Sequence, residues 1–174
     1  MEEKAFVSEY RSPCGTLLLI ACGEFLAAAD WADGWHRATI QRRLERGLRV
    51  PFEKGGTSVT REAARQLDLY FAGKLRRFLL PLLFLGTDFQ KRAWSALLEI
   101  PYGSTVSYSE IAAAAGSPKA VRAAGAAVGE NPFSVIVPCH RVVGKSGSLT
   151  GYGGGLEAKR FLLALEKGSL GRAV

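Results

Sequence analysis

The stretch SYSEIAAAAGSPKAVRAAGAAVGENPFSVIVPCHRVV, residues 107–143, decides what kind of fold this chain forms. Its first part contains two short helical segments, from Ser107 to Ala115 and from about Lys119 to Val128, and between them lies the turn Gly116-Ser117-Pro118. Two short helices joined across a glycine-containing turn are typical of a helix-turn-helix unit. We therefore expect the second half of the chain to be mainly helical.

A short apolar run, Ser134 to Val137, continues the stretch and predicts a buried strand that ends at Pro138. Cys139, His140 and Arg141 follow directly. A thiol is a useful nucleophile only as the thiolate, and a nearby imidazole and a positive charge such as Arg141 favour that form by lowering the thiol pKa. Because neighbouring side chains of an extended segment point to opposite sides, a turn or a bridging water must connect His140 with Cys139. The alternative is an inert core thiol, since free cysteines are commonly buried.

The helix from Lys119 to Val128 is built almost entirely from small residues, and Arg122 is its prominent large side chain. Helices that read the major groove carry several polar side chains that hydrogen-bond to base edges, and this helix lacks them. Small residues instead allow the close backbone approach that a narrow minor groove requires, and one long cation can then enter the base stack as a wedge. The pattern favours DNA binding by shape rather than by sequence. The alternative is that the alanines pack a tight helix pair.

The N-terminal half of the sequence predicts a small sheet with helices. Three short strands, Ala5 to Tyr10, Thr16 to Cys22 and Phe25 to Trp31, are separated by tight turns. A helix from about Trp35 to Gly47 follows, and we interpret its arginines as a solvated face. A second helix extends from its cap at Thr60 to Lys74.

Gly86 marks the boundary that we predict between two domains. The apolar run Phe78 to Leu85 before it is expected to be a buried linker or an edge segment, and a helix from Asp88 to Glu99 follows it. The predicted fold class is therefore α/β with two domains. Residues 1–86 form a small N-terminal α/β domain of sheet plus helices, and residues 87–174 form a mainly helical C-terminal domain with the helix-turn-helix.

The composition fits one globular domain or two small ones. Of 174 residues, 48% are hydrophobic and 22% are charged, which excludes a disordered chain. No stretch approaches the roughly 20 uninterrupted apolar residues that a membrane-spanning helix needs. The acidic start Met1-Glu2-Glu3-Lys4 is unlike a secretory signal, so we predict a cytoplasmic protein with no membrane association. The net charge of +7 is spread over both halves and favours a polyanionic partner such as nucleic acid.

The segment Pro-Cys-His-Arg-Val-Val at residues 138–143, with Asn131-Pro132 before it and a glycine-rich loop at residues 144–155 after it, closely resembles the O6-alkylguanine-DNA alkyltransferase family. The resemblance covers about residues 87–167. Three further motifs carry it: Pro-Tyr-Gly-x-x-x-Ser-Tyr at 101–108, the helix around Arg122, and Phe-Leu-Leu-x-x-Glu at 161–166. The first 86 residues resemble the variable N-terminal α/β domain of that family only in outline.

This resemblance implies direct reversal of DNA damage. Members of the family bind duplex DNA through the minor groove, flip an O6-alkylguanine into a pocket, and transfer its alkyl group to a cysteine of their own, so that each molecule acts once. In this chain Cys139 would be the acceptor, His140 would deprotonate it through water, and Glu166 would orient and charge-balance the histidine. Arg122 would fill the space that the flipped base leaves. The implied partner is double-stranded DNA containing O6-alkylguanine, and no obligatory protein partner is expected.

Further pocket and DNA-binding residues follow from the same resemblance. Tyr108 would help to rotate the nucleotide and donate to N3 of the departing guanine, and Asn131 would tie the recognition unit to the active-site strand. The carbonyls of Val142 and of the acceptor cysteine would read the exocyclic amine of guanine. The loop around Tyr152 and Gly153 would wall the pocket, with the Gly153 amide near O6. The DNA-contacting surface would be completed by Ser109, Ser117, Ala120, Val121, Gly125 and Ala126.

Each role has a structural alternative. Glu166 can be a surface residue of the last helix, Tyr108 a core aromatic, Asn131 a simple turn residue, and Tyr152 a loop plug. Two other classes of function also remain open at this point. A non-enzymatic helix-turn-helix regulator predicts sequence-specific binding that is indifferent to Cys139→Ser, and a Cys-His hydrolase predicts multiple turnovers.

We expect no cofactor and no metal ion. Some members of the family carry an N-terminal zinc site with cysteine and histidine ligands. Here Cys14, Cys22 and His36 are too few and too irregularly spaced for a closed four-ligand site. The three cysteines of the chain are an odd number without Cys-x-x-Cys spacing, so we expect reduced thiols rather than a disulfide framework.

Overall fold

The computed structural model describes residues 3–170, and within this range four strands form one sheet: β1 (Ala5–Ser12), β2 (Gly15–Cys22), β3 (Phe25–Trp31) and β4 (Phe52–Lys54). The strand order is β3-β2-β1-β4, in which β4 runs parallel to β1 and the other pairs are antiparallel. The predicted three-strand meander is confirmed. The short strand β4 was not predicted, because three residues are too few to show an alternating pattern.

Two helices accompany this sheet, α1 (Arg37–Leu48) and α2 (Ser58–Phe71). Helix α1 buries Ile40 and Leu44, as their spacing predicts. The predicted solvated arginine face is only partly correct, because Arg42 and Arg46 are exposed whereas Arg37 and Arg43 are partly buried and pair with acidic side chains. Helix α2 packs against the first three strands, and its buried residues include Ala63, Leu67 and Tyr70. The sheet and α2 therefore share one hydrophobic face.

The predicted limits of α2 are wrong at both ends. Its N-cap is Thr57, whose Oγ1 accepts a hydrogen bond from the Thr60 amide at 3.2 Å, while Thr60 Oγ1 accepts from the Thr57 amide at 2.8 Å. Because these two threonines cap each other reciprocally, the sequence does not reveal which one comes first. The helix ends at Phe71 rather than at Lys74, since Gly73 takes a φ of +73° that stops the helix.

The apolar run from Phe78 to Leu85 lies along the edge of β3, as predicted. The Leu26 amide donates to the Pro81 carbonyl at 2.8 Å, and the Leu83 amide donates to the Leu26 carbonyl at 2.9 Å. This segment therefore connects the sheet to the second half of the chain without leaving the edge of β3 unpaired.

The second half is mainly helical. Helices α3 (Asp88–Leu98), α4 (Tyr108–Ala114) and α5 (Val121–Gly129) pack against one another, and α4 with α5 forms the predicted helix-turn-helix. Trp94 Nε1 donates to the Ala127 carbonyl at 2.8 Å and so ties α3 to α5. Helix α5 begins later than predicted, at Val121.

Two short strands and a final helix complete the second half. β5 (Val106–Ser107) pairs in parallel with β6 (Val142–Val143), which brings the residues after Cys139 beside the start of α4. The last helix, α6 (Leu156–Glu166), follows the glycine-rich loop. Within residues 3–170, no helix is both long and apolar enough to cross a membrane.

The strand predicted at Ser134 to Val137 is wrong. These residues form a tight turn in which the Val137 amide donates to the Phe133 carbonyl at 2.8 Å, and Val135 has a φ of +70°. A β-branched residue rarely adopts this left-handed conformation, and Val135 is buried in the core. The apolar run reflects burial, which a short run cannot distinguish from a strand.

One hydrophobic core joins the two halves of the chain. Leu19 and Tyr70 from the first half and Trp94 and Phe133 from the second are fully buried in the same cluster. The fold is therefore a two-domain α/β fold in which an N-terminal sheet with helices packs directly against a helical C-terminal part. This packing brings side chains of the N-terminal half close to Cys139 and its neighbours.

Candidate active site

Cys139 lies in the wall of a cavity of about 560 Å³ between α5 and the glycine-rich loop. It begins a single turn of 3-10 helix, Cys139–Arg141, and is 7% exposed. The cavity brings together nine of the residues predicted for the site: Tyr108, Val121, Arg122, Gly125, Ala126, Asn131, Cys139, Tyr152 and Gly153.

Six predicted residues lie outside the cavity wall. His140, Glu166 and Val142 are buried and do not line the cavity. Ser117 and Ala120 line a separate shallow depression at the turn before α5, and Ser109 is exposed on the first turn of α4. Helix α5 therefore presents one side to the cavity, while the turn that precedes it lies on the outer surface.

His140, which follows Cys139 in the sequence, forms a buried pair with Glu166. His140 Nε2 lies 2.8 Å from Glu166 Oε1, and both side chains are inaccessible to solvent. Among residues 3–170, His140 Nδ1 is buried and has no hydrogen-bond partner. Nδ1 is therefore the nitrogen that is left to accept a proton.

Arg141 points to Glu166 rather than to Cys139. Its Nε donates to Glu166 Oε2 at 2.9 Å, its Nη2 donates to Oε1 at 2.8 Å, and its Nη1 donates to the Ile100 carbonyl at 2.7 Å. The expectation that Arg141 and the imidazole lower the thiol pKa is wrong for the free protein. Burial raises the pKa of Cys139 to about 11, against the lowering effects of a hydrogen bond with Asn131 and the charge of Lys159.

The protonation states of the pair follow from burial and mutual contacts. Burial lowers the pKa of His140, although the hydrogen bond and the charge of Glu166 oppose that shift. Burial alone would raise the pKa of Glu166, but hydrogen bonds from His140 and Arg141 outweigh it and hold that pKa well below its usual range. At neutral pH the free protein therefore holds a neutral thiol, a neutral imidazole and an ionised carboxylate.

The raised thiol pKa predicts how Cys139 reacts with a small alkylating reagent. Because only the thiolate reacts, its modification by iodoacetamide should accelerate about tenfold per pH unit between pH 7 and pH 10. Peptide mass mapping after timed quenching measures this rate for each cysteine separately. A rate that is already constant at pH 7 would contradict the prediction, because it would mean that the free protein stores a thiolate.

Asn131 fixes the turn that leads to Cys139. Its Nδ2 donates to the Val137 carbonyl at 2.8 Å, and its Oδ1 accepts from the Phe133 amide at 2.9 Å. Asn131 follows α5 by two residues, so these bonds join this helix to the segment that carries the thiol. Asn131 therefore binds a turn at residues 133–137, where the sequence predicted a strand.

Tyr108 and the glycine-rich loop close one side of the cavity. Tyr108 Oη lies 2.9 Å from Thr150 Oγ1, which links the start of α4 to the loop. Tyr152 is buried, with its ring edge-to-face on Trp31 at 6.1 Å. Gly153 has no room for a side chain, because an added Cβ would lie 2.1 Å from His36 Cε1.

Lys159 is a site residue that the sequence analysis missed. It is 1% exposed, and its Nζ donates to the carbonyls of Val142 at 2.6 Å and Thr150 at 2.9 Å. These bonds fasten the glycine-rich loop to the strand after Cys139. A signal was present in the sequence: Lys159 and Glu166 are seven residues apart, so on a helix both fall on the apolar face.

Three residues of the N-terminal half also belong to the site and were not predicted. The exposed ring of Trp35 and the buried ring of His36 line the cavity. Tyr70 on α2 donates from its hydroxyl to Glu166 Oε1 at 2.8 Å. Their contacts join parts of the chain that are distant in sequence, so no local pattern in the sequence indicates them.

Among residues 3–170, no three His, Cys, Asp or Glu side chains are grouped so that they could hold a metal ion.

Comparison with known proteins agrees with this geometry. Residues 88–168 match the family model for the 6-O-methylguanine DNA methyltransferase DNA binding domain, and residues 6–84 match the model for the ribonuclease-like domain of the same proteins. A methylated-DNA–protein-cysteine methyltransferase of Methanosarcina barkeri is 58% identical over 160 residues, which cover 91% of this chain and 95% of that protein. The corresponding protein of Mycobacterium leprae is 47% identical over 156 residues, with 90% and 88% covered.

Solved structures give the same result. The O6-methylguanine methyltransferase of Mycobacterium tuberculosis superposes with a TM-score of 0.78 at 43% identity, covering 97% of this chain and 96% of that one. The structure of Mycobacterium tuberculosis OGT in complex with DNA gives a TM-score of 0.79 at 43% identity, with 95% of this chain and 94% of that one covered. The fold, the geometry of the site and the similar proteins together define a class of protein. It is a DNA-binding enzyme that repairs DNA by alkyl transfer. The chain belongs to the 6-O-methylguanine DNA methyltransferase family, and its activity is that of a methylated-DNA–protein-cysteine methyltransferase.

Proposed function

We propose that this chain repairs O6-alkylguanine in duplex DNA by flipping the damaged base and moving its alkyl group, once and irreversibly, to Cys139. The observation that carries the proposal is the position of Cys139. Its thiol lies in the wall of a cavity beside the small-residue helix α5, and the next residue, His140, forms a buried pair with Glu166. A division of the chain at Gly86 into a supporting domain and a DNA-binding domain belongs to the same proposal.

The small residues of α5 suit a shallow approach to the minor groove. Gly125 and Ala126 line the cavity on this helix, and Arg122 is exposed on the same side. Its guanidinium can enter the stack where the lesion leaves it, while Tyr108 helps to turn the nucleotide. Flipping costs a few kcal/mol, and less for a poorly paired base, which itself favours damaged guanine. The outer residues Ser109, Ser117 and Ala120 would contact the DNA backbone.

The cavity is large enough for an extruded purine, since pockets of about 300–1,000 Å³ hold drug-sized ligands. Tyr152 and Gly153 would wall the base, with the Gly153 amide near O6. The carbonyls of Cys139 and Val142 would accept from the exocyclic amine. The Val142 carbonyl already accepts from Lys159 Nζ at 2.6 Å, so the amine would use its second lone pair.

Transfer is a displacement at the alkyl carbon. The Cys139 sulfur forms a bond to that carbon as the bond from carbon to guanine O6 breaks, and the thiol proton passes through water to His140 Nδ1. Ionised Glu166 stabilises the imidazolium. Guanine departs with a proton that Tyr108 donates at N3, and the imidazolium restores the phenol through solvent, so the net products are a thioether and neutral guanine. A thioether is a poor leaving group, so the protein acts once.

A stoichiometry experiment tests this proposal. With a tenfold excess of duplex containing O6-methylguanine labelled on the methyl group, transfer to wild-type protein should stop at one methyl group per chain. Repeated turnover would contradict it, because it would require release of the alkyl group as a hydrolase releases its product.

Arg122→Ala should slow transfer from a duplex lesion by about tenfold to a hundredfold, because nothing then fills the space in the stack. The loss should be much smaller on a single-stranded oligonucleotide with the same lesion, where no stack has to be held open. Single-turnover rates on both substrates measure the difference, and Arg46→Ala, which removes the same charge from the exposed side of α1, is the control. Equal losses on both substrates would show that Arg122 is only a phosphate contact.

A further inference from the structure

Tyr70 connects the N-terminal half of the chain to the His140–Glu166 pair. It lies on α2, is fully buried, and donates from its hydroxyl to Glu166 Oε1 at 2.8 Å. The same hydroxyl oxygen lies 3.5 Å from His140 Nε2, which itself lies 2.8 Å from Oε1. The hydroxyl of Tyr70 and the Nε2 of His140 therefore both lie close to the same carboxylate oxygen of Glu166.

The direction of each hydrogen bond follows from the donors that are available. Glu166 is ionised and can only accept, so the hydrogen of the Tyr70 hydroxyl must point to Oε1. Burial and the negative charge of Glu166 raise the pKa of Tyr70 far above its usual range, so the hydroxyl keeps its hydrogen. The oxygen lone pairs of Tyr70 and Glu166 both lie near His140 Nε2. An unprotonated Nε2 would face two acceptors without a hydrogen between them, so the ring proton belongs on Nε2.

This arrangement leaves Nδ1 as the basic nitrogen. Nδ1 is buried and has no hydrogen-bond partner among residues 3–170. Arg141 restricts the orientation of the carboxylate, because it binds both oxygens, with Nη2 on Oε1 at 2.8 Å and Nε on Oε2 at 2.9 Å. The hydroxyl of Tyr70 is a third donor on Oε1, beside Nη2 of Arg141 and Nε2 of His140, and it stabilises the orientation in which this oxygen faces the imidazole.

We propose that Tyr70 is a positioning residue for alkyl transfer. It holds Glu166 against Nε2 and so keeps His140 in the tautomer whose Nδ1 accepts the thiol proton. The inference rests on the proposed function, and it gives the N-terminal half a part in the chemistry beyond support of the fold. The aromatic neighbours of Tyr70, including Phe71 and Tyr102 at ring distances of 5.2 and 6.2 Å, keep the ring in place.

The test compares Tyr70→Phe with a matched control, Tyr10→Phe. Both changes remove a tyrosine hydroxyl that donates to a carboxylate, since Tyr10 Oη donates to Asp68 Oδ1 at 2.7 Å. Neither Tyr10 nor Asp68 lines the cavity. Two readouts are needed: the single-turnover rate of methyl transfer, and ¹⁵N NMR of the histidine rings. The sequence contains only two histidines, so His140→Gln assigns the signals.

Wild-type protein should show His140 protonated at Nε2 alone. Tyr70→Phe should show a mixture of tautomers and about tenfold slower transfer, with unchanged affinity for lesion-containing duplex, because a general base in the wrong tautomer cannot act. Tyr10→Phe should match wild type in both readouts.

Two outcomes would overturn the inference. Tyr70→Phe with wild-type ring signals would show that the hydroxyl does not set the tautomer, whatever the rate. Altered ring signals with a wild-type rate would show that the tautomer is not needed for transfer. Failure of the proposed function is recognised separately, since wild-type protein would then transfer nothing while the NMR comparison still reports on the His140 tautomer.

Discussion

Cys139→Ser is expected to abolish alkyl transfer and to leave binding of a lesion-containing duplex unchanged. Serine is close to cysteine in size, so at a position that is 7% exposed the packing is retained. Its hydroxyl is a far weaker nucleophile, and burial that already raises the thiol pKa to about 11 disfavours an alkoxide still more. We expect a loss of at least about a thousandfold in the transfer rate.

Fluorescence anisotropy with labelled duplex measures binding, and quenched time courses measure transfer. Cys14→Ser is the matched control, because Cys14 is a half-buried thiol between β1 and β2 that does not line the cavity. Transfer that survives in Cys139→Ser would assign the acceptor to another residue. Loss of binding would instead mean that the thiol shapes the site.

Glu166→Gln is expected to lower the free energy of unfolding strongly. The carboxylate accepts hydrogen bonds from Arg141, His140 and Tyr70, and its side chain is inaccessible to solvent. A neutral amide leaves the buried guanidinium of Arg141 without its counter-ion, which costs about 3–5 kcal/mol of the free energy of unfolding. Transfer should slow as well, because no charge then balances the imidazolium.

The pH dependence of stability gives a second signature of Glu166. Its folded-state pKa is lowered, so its contribution is fully present above the unfolded pKa of about 4.3 and is lost as the pH falls towards the folded value. Urea unfolding from pH 3 to pH 7 should show this loss in wild type and a flatter profile in Glu166→Gln. Glu62→Gln is the control, because its salt bridge with Arg65 is solvent-exposed and should contribute little. If Glu166→Gln were as stable as wild type, the buried ion pair between Arg141 and Glu166 would not stabilise the fold.

The predictions that succeeded rest on local signals. The helix-turn-helix followed from two short helices and a glycine turn, and the structure has α4 and α5 there. Position 139 was singled out by its place after a proline beside a histidine, and the structure puts that thiol in the cavity wall. Capping signals were less decisive, since the reciprocal pair Thr57 and Thr60 offers two possible starts for one helix.

The predictions that failed concern contacts between residues distant in sequence and one short apolar run. The charge of Arg141 was assigned to its neighbour Cys139, but its partner is Glu166, 25 residues further along the chain. The contact of Tyr70 with Glu166 spans 96 residues and depends on how the two halves pack. The turn at Val135 looked like a strand because burial selects apolar residues in either conformation.

The most direct test of the account is the intact mass of wild-type protein after incubation with duplex DNA containing one O6-methylguanine. Unmodified duplex and Cys139→Ser serve as controls, and peptide mapping locates any modification. Wild-type protein alone should gain the mass of one methylene group per chain, and the gain should lie on Cys139. Protein that binds the lesion without gaining mass, or that gains it at another residue, would contradict the assignment of Cys139 as the acceptor.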